Sequence, residues 1–211
     1  MLFMPITRPW AIEPVMTALN ASDIPKEAYL LLDAPGCDGW IEAFVDSGWD
    51  ITVMVTGNPE PPEDHILRRT RHLAMRRLSQ GLTRDLGRVL YLEDDTLVPP
   101  KTWEPLNHLL DEGYLAASGV QRGRRTCRAC GVWYMNREAG ILDPYEPEGI
   151  SEAAAVGHYC LLTYGNIYGT MPIDPGPDEP VDAAHTRHFA PIAVDASVWC
   201  GHLLSDGAII L

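Results

Sequence analysis

A short hydrophobic run that ends in three consecutive acids constrains the fold of this chain more than any other feature. The run extends from Val89 to Leu92, and Glu93, Asp94 and Asp95 follow it without a break. A run of this length and composition predicts a β-strand that is buried on both faces of a sheet. In open α/β sheets, ligands bind beyond the carboxyl ends of the strands, so these acids occupy a position where binding sites are found.

The three acids need a positive partner. Adjacent carboxylates repel one another, and their ionised forms are costly at the end of a buried strand unless a cation lies nearby. A divalent cation that carries a phosphorylated ligand would supply this charge, and hard oxygen ligands suit Mg²⁺ or Mn²⁺. The alternative is a solvated acidic turn before the next helix, because Asp95 and Thr96 are ordinary turn residues.

Strand and helix patterns alternate along the first half of the chain. Predicted strands cover 3–7, 28–32, 51–55, 89–92 and 115–118, and predicted helices begin near 13 and cover 40–45, 65–80 and 101–111. Asp64 is expected to cap the helix over 65–80. This alternation predicts an α/β fold in one domain, with a mixed, mainly parallel central sheet flanked by helices.

The second half of the chain is less regular. Its patterns predict a hairpin over 120–136, a loop over 173–180, and two strand pieces over 191–194 and 198–200. Cys127 and Cys130 lie in the predicted hairpin, with the spacing of half a zinc site or of a redox pair. The alternative is two ordinary thiols, because no second pair of metal ligands completes the zinc pattern.

Charge and cysteine content limit the partners and the location of the chain. The formal net charge of −13 argues against a surface that binds nucleic acids or anionic membranes broadly. Five cysteines, an odd number, favour reduced thiols and a cytoplasmic location over a disulfide framework. No hydrophobic run is long enough for a membrane span, and the amino terminus lacks the pattern of a secretory signal.

The acidic triplet and a segment near the carboxyl terminus resemble a known family. The segment 91–95, Tyr-Leu-Glu-Asp-Asp, is similar to the DXD element of nucleotide-sugar-dependent glycosyltransferases of the GT-A fold. The segment 194–202 ends in Cys200, Gly201 and His202, and is similar to a carboxyl-terminal pattern of short bacterial and phage members. The resemblance implies one GT-A-like (Rossmann-like) domain over 1–211, with a nucleotide-binding half over 1–100 and an acceptor-side half over 101–211.

The resemblance also implies roles for the acids and for one histidine. In this family the last acid of the DXD element binds a metal ion and an earlier one contacts the ribose. By position, Asp95 would bind the cation, while Glu93 or Asp94 would face the ribose. His202 would be a further protein ligand of the cation. A lone histidine is more often structural, and it is the resemblance that makes this one a candidate ligand.

An arginine-rich helix precedes the acidic strand. Arg68, Arg71 and His72 are spaced to share one side of that helix, and Arg76 continues the stripe. Such runs are usually solvated faces. The segment 70–74 is similar, however, to a family segment whose arginine contacts the diphosphate. The resemblance therefore implies that Arg71, and then Arg68, bind the donor phosphates.

The ends of the first two predicted strands are expected to form the nucleoside pocket. Thr7 and Arg8 follow the first strand, and Asp33 follows the second. Many family members that read a uracil ring have an acid at the place of Asp33, which favours a UDP-sugar donor. The alternative is that Asp33 caps the turn that follows it.

An acceptor base is required if the transferase inverts the anomeric centre. Family members often carry a Glu-Asp pair before the final strand. Asp178 and Glu179 lie at that place in reversed order, and Pro180 follows them where relatives continue into a helix. Asp182 is a second candidate. A retaining enzyme needs no such base, and all three acids could be solvated loop residues.

These predictions describe a metal-dependent glycosyltransferase that uses Mn²⁺ or Mg²⁺ and a nucleoside diphosphate sugar. One alternative is a sugar-phosphate nucleotidyltransferase, although the segment 7–11 has no glycine and such enzymes carry a glycine-rich phosphate loop after the first strand. Another is a non-catalytic nucleotide-sugar-binding module. The acceptor stays open among glycans, protein side chains, lipid carriers and modified DNA bases.

Overall fold

The first half of the chain forms parallel strands that alternate with helices. The computed structural model describes residues 1–122, 131–136, 141–176 and 179–211. The strands of this half are β1 (Leu2–Ile6), β2 (Glu27–Leu32), β3 (Asp50–Val55) and β4 (Arg88–Leu92), and its helices are α1 (Ile12–Ala21), α2 (Gly39–Asp46) and α3 (His65–Thr83). Strand β1 pairs in parallel with β2 and β4, and β2 pairs in parallel with β3.

The second half completes the central sheet and adds a small second sheet. Its strands are β5 (Thr96–Leu97), β6 (Ala116–Gln121), β7 (Val132–Asn136), β8 (Ile141–Pro144), β9 (Ile150–Ala153), β10 (Ala155–Val156), β11 (Cys160–Tyr164), β12 (Ile192–Leu203) and β13 (Ile209–Ile210). Its helices are α4 (Trp103–Asp111), α5 (Gly165–Thr170) and α6 (Val181–Thr186), and one-turn 3₁₀ helices lie at Pro9–Ala11 and Arg187–Phe189. Among the described residues, no helix combines the length and the apolar character needed to cross a bilayer.

The strand order confirms the fold class that the sequence predicts. The main path of the central sheet is β13–β12–β6–β11–β4–β1–β2–β3. Strand β11 is antiparallel to both of its neighbours, whereas β12 is parallel to β6. The small sheet has the order β10–β7–β8. The protein is therefore an α/β protein with a mixed, mainly parallel central sheet between helices.

Hydrophobic cores cover both faces of the central sheet. Alternate residues of β1 point to opposite faces, so Leu2 and Met4 pack against α1, α2 and α4, whereas Phe3 packs on the side of α3 and α5. On the side of α3 and α5, the ring of Tyr91 from β4 stacks on Tyr168 from α5 with centroids 3.7 Å apart. This burial on both faces explains why the strand before the acids is hydrophobic without alternation.

Helix α3 starts as predicted and carries a charged residue into the interior. Asp64 precedes the helix with an extended backbone, and its Oδ1 accepts a hydrogen bond from the Leu67 N–H at 2.9 Å. The helix continues to Thr83 instead of ending near residue 80. Its buried side includes Met75 and Arg76, and Arg76 is 3% exposed.

One prediction for the second half is wrong in the described residues, and another is tested only in part. The expected hairpin over 120–136 includes 123–130, which lie outside the described residues. In the rest of that segment, β6 pairs with β11 and β12, β7 pairs with β8 and β10, and the Gly131 N–H donates to the Gln121 carbonyl oxygen at 3.1 Å. The two expected strand pieces are one strand, β12, whose pairing with β6 shifts in register between Val194 and Trp199. Cys127 and Cys130 lie outside the described residues.

Candidate functional site

A cleft of about 530 Å³ opens at the carboxyl ends of β1, β2 and β4, with α3 along one side. The parallel order of these strands brings the residues that follow them to one edge of the sheet. All seven residues predicted to bind the nucleotide sugar line this cleft, namely Thr7, Arg8, Asp33, Arg68, Arg71, Glu93 and Asp94. Their common location supports the prediction that they act on one ligand.

Asp94 positions the loop after β1. Its Oδ2 accepts hydrogen bonds from the backbone N–H groups of Thr7 at 2.6 Å and of Arg8 at 2.7 Å. Its Oδ1 pairs with the Arg8 guanidinium. The Asp94 side chain is only 1% exposed, and these donors compensate its buried charge. Asp94 therefore fixes the chain segment that carries Arg8 into the cleft.

Asp95 and His202 approach each other at the carboxyl end of β4. His202 Nε2 lies 3.4 Å from Asp95 Oδ2, and both side chains are buried. The short strand β5 explains this meeting, because it follows the acids directly and pairs with β12, placing Thr96 opposite His202. The structure thus brings together the two residues that the sequence analysis assigned to a cation.

The second ring nitrogen of His202 contacts the backbone. Nδ1 lies 3.0 Å from the carbonyl oxygen of Arg122, and because a carbonyl oxygen only accepts, Nδ1 carries the proton. In a neutral ring of this tautomer, the lone pair of Nε2 would face Asp95, which is the arrangement that a shared cation requires. A backbone carbonyl behind the ring is a common outer partner of metal-binding histidines. Asp95 and His202 therefore fit a shared divalent cation in donor type, orientation and separation.

Arg76, which is almost fully buried, connects the first acid to the second half of the chain. Its Nη2 lies 3.0 Å from Glu93 Oε1, and its Nε lies 3.0 Å from Asp182 Oδ1. His72, one turn earlier on α3, lies 3.2 Å from the same Asp182 oxygen. His72, Glu93 and Asp182 are close enough together to hold a metal ion. Arg76 already supplies a positive charge between the two carboxylates and compensates one of their two negative charges.

Two buried histidines extend from Asp182 into the interior. His158 Nδ1 lies 2.7 Å from Asp182 Oδ1, and His158 Nε2 lies 3.1 Å from His185 Nδ1. Burial, and then Arg76, lower the pKa of His158 to about 4, and burial, and then His158, lower the pKa of His185 to about 2. Both rings are therefore neutral at pH 7. Gln80 Nε2 lies 3.2 Å from His185 Nε2 and ends the chain of contacts.

Burial and the neighbouring groups have opposite effects on the pKa of the Asp182 carboxyl group. Burial raises the pKa, but the Arg76 guanidinium, with smaller contributions from His158 and His72, lowers it well below its usual range. Asp182 is therefore an ionised carboxylate on α6 that faces α3. Such a strongly compensated carboxylate is a weak general base.

Asp33 and Arg71 form an ion pair at the end of β2. Arg71 Nε donates to Asp33 Oδ2 at 2.7 Å, and the same guanidinium contacts the carbonyl oxygens of Asp33 and Pro59. Asp33 Oδ1 accepts hydrogen bonds from the Thr56 hydroxyl at 2.7 Å and from the Asn58 amide at 2.6 Å. These donors compensate a carboxylate that is 1% exposed.

Arg68 lies closer to the first turn of α3. Its Nε donates to the carbonyl oxygen of Pro62 at 3.1 Å, and its Nη2 donates to that of Glu63 at 3.2 Å. The Arg68 side chain is exposed and lines the cleft. Arg68 and Arg71 therefore both border the cleft, and Arg71 has the more buried position.

Glu179, one of the two predicted acceptor bases, is not among the residues that line the cleft. Glu179 pairs with Arg187, and its Oε2 accepts a hydrogen bond from the Gly176 N–H at 3.2 Å. Glu179 precedes α6, the helix that contains Asp182. Asp178 lies outside the described residues.

The sequence analysis missed the polar network beneath the cleft. Arg76 was placed on the stripe with Arg71 but not recognised as the residue that joins Glu93 to Asp182. A signal was present, because His72, Arg76 and Gln80 recur every fourth residue on α3 and must share one face. No local signal identifies His158 or His185 as their partners, because strand β11 and helix α6 reach that face only in the folded chain.

Solved structures match this chain in fold, although no family profile and no curated protein matches its sequence. GalNAc-T7 with UDP, GalNAc and Mn²⁺ matches with a TM-score of 0.59 and 11% identity, over 96% of this chain and 43% of that one. The mannosyltransferase PcManGT from Pyrobaculum calidifontis, in complex with GDP-Man and Mn²⁺, matches with a TM-score of 0.56 and 14% identity. That match covers 94% of this chain and 55% of the mannosyltransferase.

A sugar nucleotidyltransferase shares the fold as well. A nucleoside-diphosphate-sugar pyrophosphorylase from Vibrio cholerae matches with a TM-score of 0.54 and 11% identity, over 94% of this chain and 92% of that one. At these identities the likeness shows the fold alone. The chain therefore has a GT-A-like α/β fold, and it spans about half the length of the two glycosyltransferases that it matches.

Proposed function

We propose that this protein is a metal-dependent glycosyltransferase that moves a sugar from a nucleoside diphosphate sugar to an acceptor hydroxyl. The observation that carries the proposal is the 3.4 Å approach of Asp95 Oδ2 and His202 Nε2 beside a cleft lined with arginines. The fold supports the same class, because transferases that share it are found with UDP or GDP-Man and Mn²⁺.

In this proposal, Asp95 and His202 hold Mn²⁺ or Mg²⁺. The cation would neutralise the negative charge that develops on the diphosphate as it leaves the sugar. Mg²⁺ prefers oxygen ligands alone, so the imidazole of His202 favours Mn²⁺.

The residues along the cleft bind the rest of the donor. Arg71 and Arg68 line the side formed by α3, where their planar guanidinium groups suit phosphate oxygens. Asp33 and Thr7, at neighbouring strand ends, form the nucleoside pocket, and Arg8 beside them borders the diphosphate. A carboxylate accepts hydrogen bonds from the N–H groups of uracil and of guanine alike, so the preference for a UDP-sugar rests on the resemblance to family members that read uracil with an acid at this place. Arg71 leaves Asp33 when the donor binds.

Glu93 is the better placed of the two proposed ribose contacts. Its side chain is 27% exposed and lines the cleft, and the one ion pair that it makes with Arg76 fixes a single carboxylate oxygen. Asp94, in contrast, is 1% exposed and bound to the loop after β1. We therefore assign the ribose to Glu93.

Glu179 and Asp178 remain the proposed acceptor bases of an inverting reaction. Glu179 would have to leave Arg187 to accept a proton, because a paired carboxylate is a weak base. Donor binding and cation binding need no acceptor base, so both can be measured before the acceptor is known.

The main test is a thermal-shift panel of UDP-, GDP- and dTDP-sugars, each with and without Mn²⁺. A ligand at about one hundred times its Kd stabilises the folded protein by about 2.7 kcal/mol, so one donor with Mn²⁺ should raise the Tm by several degrees. Asp95→Asn and His202→Ala should abolish the Mn²⁺-dependent part of the shift. Glu104→Gln, an exposed acid on α4, is the matched control and should keep it. A panel with no shift for any donor would contradict the proposal.

One structural observation counts against the nucleotidyltransferase alternative. Phosphate loops bind their ligand with backbone N–H groups, but those of Thr7 and Arg8 already donate to Asp94. We expect no pyrophosphate release from UTP, dTTP or GTP in the presence of a sugar 1-phosphate and Mg²⁺. Release with any of these pairs would favour the alternative.

Hydrolysis of the donor distinguishes a working transferase from a binding module without catalysis. Donor binding with Mn²⁺, but no slow hydrolysis of the bound donor by water, would indicate such a module. Hydrolysis that requires Mn²⁺ and is lost in Asp95→Asn would support a working transferase.

A further inference from the structure

Arg8 and His202 contact the same oxygen atom of Asp95. Arg8 Nε lies 3.3 Å from Oδ2, and His202 Nε2 lies 3.4 Å from it. Asp95 is fully buried, whereas Arg8 is 25% exposed and lines the cleft. The guanidinium therefore lies next to the place that a cation bound to Asp95 and His202 would occupy.

The charges at this point disfavour a divalent cation and the Arg8 guanidinium together. Among the described residues, Asp94 and Asp95 contribute two negative charges and Arg8 contributes one positive charge. A divalent cation would leave an excess of positive charge among buried groups, where like charges repel strongly. A diphosphate removes that excess, because its oxygens accept hydrogen bonds from a guanidinium and also bind the cation.

The backbone of Arg8 is anchored while its side chain extends into the cleft. The Arg8 N–H donates to Asp94 Oδ2, and the Arg8 carbonyl oxygen accepts hydrogen bonds from Trp40 Nε1 at 3.1 Å and from the Ala11 N–H at 3.3 Å. A side-chain rotation is therefore enough to move the guanidinium from Asp95 towards a ligand in the cleft.

We propose that Arg8 couples cation binding to diphosphate binding. Without a nucleotide, Arg8 pairs with Asp94 and Asp95 and lowers the affinity of the Asp95–His202 pair for a cation. When a nucleoside diphosphate binds, Arg8 moves to its phosphate oxygens and Asp95 becomes available. This inference rests on the proposed function, and it adds a reason why cation and donor bind together.

The test measures Mn²⁺ binding by electron paramagnetic resonance, with UDP or GDP absent or present and with protein-free solutions as blanks. The wild-type protein should bind Mn²⁺ weakly alone, and one of the two nucleotides should strengthen binding about tenfold or more. Arg8→Gln should bind Mn²⁺ about tenfold more tightly than the wild type in the absence of nucleotide, because a positive charge next to the ligands is gone. The nucleotide should then add little.

Arg8→Lys is a second variant that keeps the inference testable if Arg8→Gln does not fold. Arg8 contacts Asp94 through Nη1 and Asp95 through Nε, whereas a lysine ammonium is one point charge that can pair with only one of them. A lysine that pairs with Asp94 keeps that buried charge compensated but releases Asp95, so Mn²⁺ should bind more tightly than to the wild type. Arg88→Gln, at the other end of β4 and paired with Asp111, is the matched control and should not change the affinity.

The possible outcomes separate this inference from the proposed function. If Mn²⁺ binds the wild type with UDP or GDP, but both Arg8 variants keep wild-type affinity without nucleotide, the coupling role is wrong and the proposed function stands. If Mn²⁺ binds in no condition, both are wrong. Tighter nucleotide-free binding in a folded Arg8 variant, with loss of the nucleotide effect, supports the coupling.

Discussion

Glu93, Asp94 and Asp95 are consecutive in sequence but have different partners in the structure. Glu93 pairs with Arg76, Asp94 binds the loop after β1, and Asp95 lies beside Arg8 and His202. Successive residues point in different directions as the strand ends, so each acid meets a different part of the fold. Among the described residues, Arg8 and Arg76 supply positive charge to these three adjacent acids.

Arg76 should be the most important single residue for stability in this network. Arg76→Met leaves Asp182 and Glu93 without their shared partner, and removal of one member of a buried ion pair typically costs 3–5 kcal/mol. Because both acids keep some exposure, we expect a loss of about 3 kcal/mol in the free energy of unfolding. Urea denaturation at pH 7 measures it. Arg77→Met, on the exposed side of the same helix, should change stability by less than about 0.5 kcal/mol.

The same variant should show a distinct pH dependence. In the wild type the pKa of Asp182 is lowered on folding, so its contribution is present above its ordinary pKa of 3.8 and is lost as the pH falls through the folded value. In Arg76→Met, burial should dominate and raise the pKa of Asp182 above 3.8. The variant then gains stability relative to the wild type as the pH falls. The difference in unfolding free energy should therefore narrow from pH 7 towards pH 4, and a constant difference would contradict this assignment.

At the scale of elements, helix α4 depends on an acid from a distant loop. The carboxylate of Asp23, which lies after α1, accepts hydrogen bonds from the N–H groups of Thr102 at 2.7 Å, Trp103 at 2.8 Å and Glu104 at 2.9 Å. These groups lie at the amino end of α4, where no earlier carbonyl can accept them. Asp23 therefore holds α4 against the loop after α1, although the two segments are far apart in sequence.

Asp23→Ala should cost about 1 kcal/mol of unfolding free energy, which is the usual effect of removing a helix cap. Partial burial raises the pKa of Asp23, but backbone hydrogen bonds, those of Glu104, Thr102 and Trp103 among them, together lower it below its ordinary value of 3.8. The stabilisation is therefore complete above that value and disappears as the pH falls through the lower folded pKa. The unfolding free energies of variant and wild type should converge once the pH lies below that folded pKa. Asp38→Ala is the control, because Asp38 precedes α2 without a side-chain cap hydrogen bond.

At the scale of the whole molecule, strand β12 aligns the second half of the chain with the first. It pairs with β6 along the central sheet and with β5 beside the acids, and it carries His202. Its register shift lies next to Gly119 of β6, where a Cβ atom would be 2.6 Å from the Val198 carbonyl oxygen. Gly119 therefore permits β6 and β12 to approach each other closely. The position of His202 on β12 depends on this approach.

A pair of glycine variants tests this dependence. Gly119→Ala forces the two strands apart and should cost about 2 kcal/mol or more, and it should also weaken Mn²⁺ binding by displacing His202. Gly81→Ala, on the exposed side of α3 with no atom near the new methyl group, should stabilise the protein by about 0.5–1 kcal/mol. Thermal unfolding and Mn²⁺ titration measure both effects. Wild-type stability in Gly119→Ala would show that the strands have more freedom than the structure indicates.

The sequence predicts well those elements whose structure is determined by residues that are close together in the chain. The strand before Glu93 follows from its continuous hydrophobic run, and the start of α3 follows from the Asp64 cap. Turn composition predicts a hairpin over 120–136 but does not say which strands pair, and in the described residues β6 and β7 pair with other strands. The sequence predicts two pieces for strand β12 because Asp195 and Ser197 interrupt its hydrophobic pattern, although β6 pairs with it before and after them and β9 pairs with it as far as Asp195.

The sequence by itself determined the local structure at the strand ends and seven of the polar residues that line the cleft. It did so because hydrophobic periodicity and capping act over short distances along the chain, and because residues that follow parallel strands come to one edge of a sheet. Only the tertiary structure decided which charge meets which: Arg71 with Asp33, Arg76 with Asp182, and Arg8 with His202 around one oxygen of Asp95. These contacts join residues that are distant in sequence, and their geometry depends on strand pairing and burial across the whole sheet.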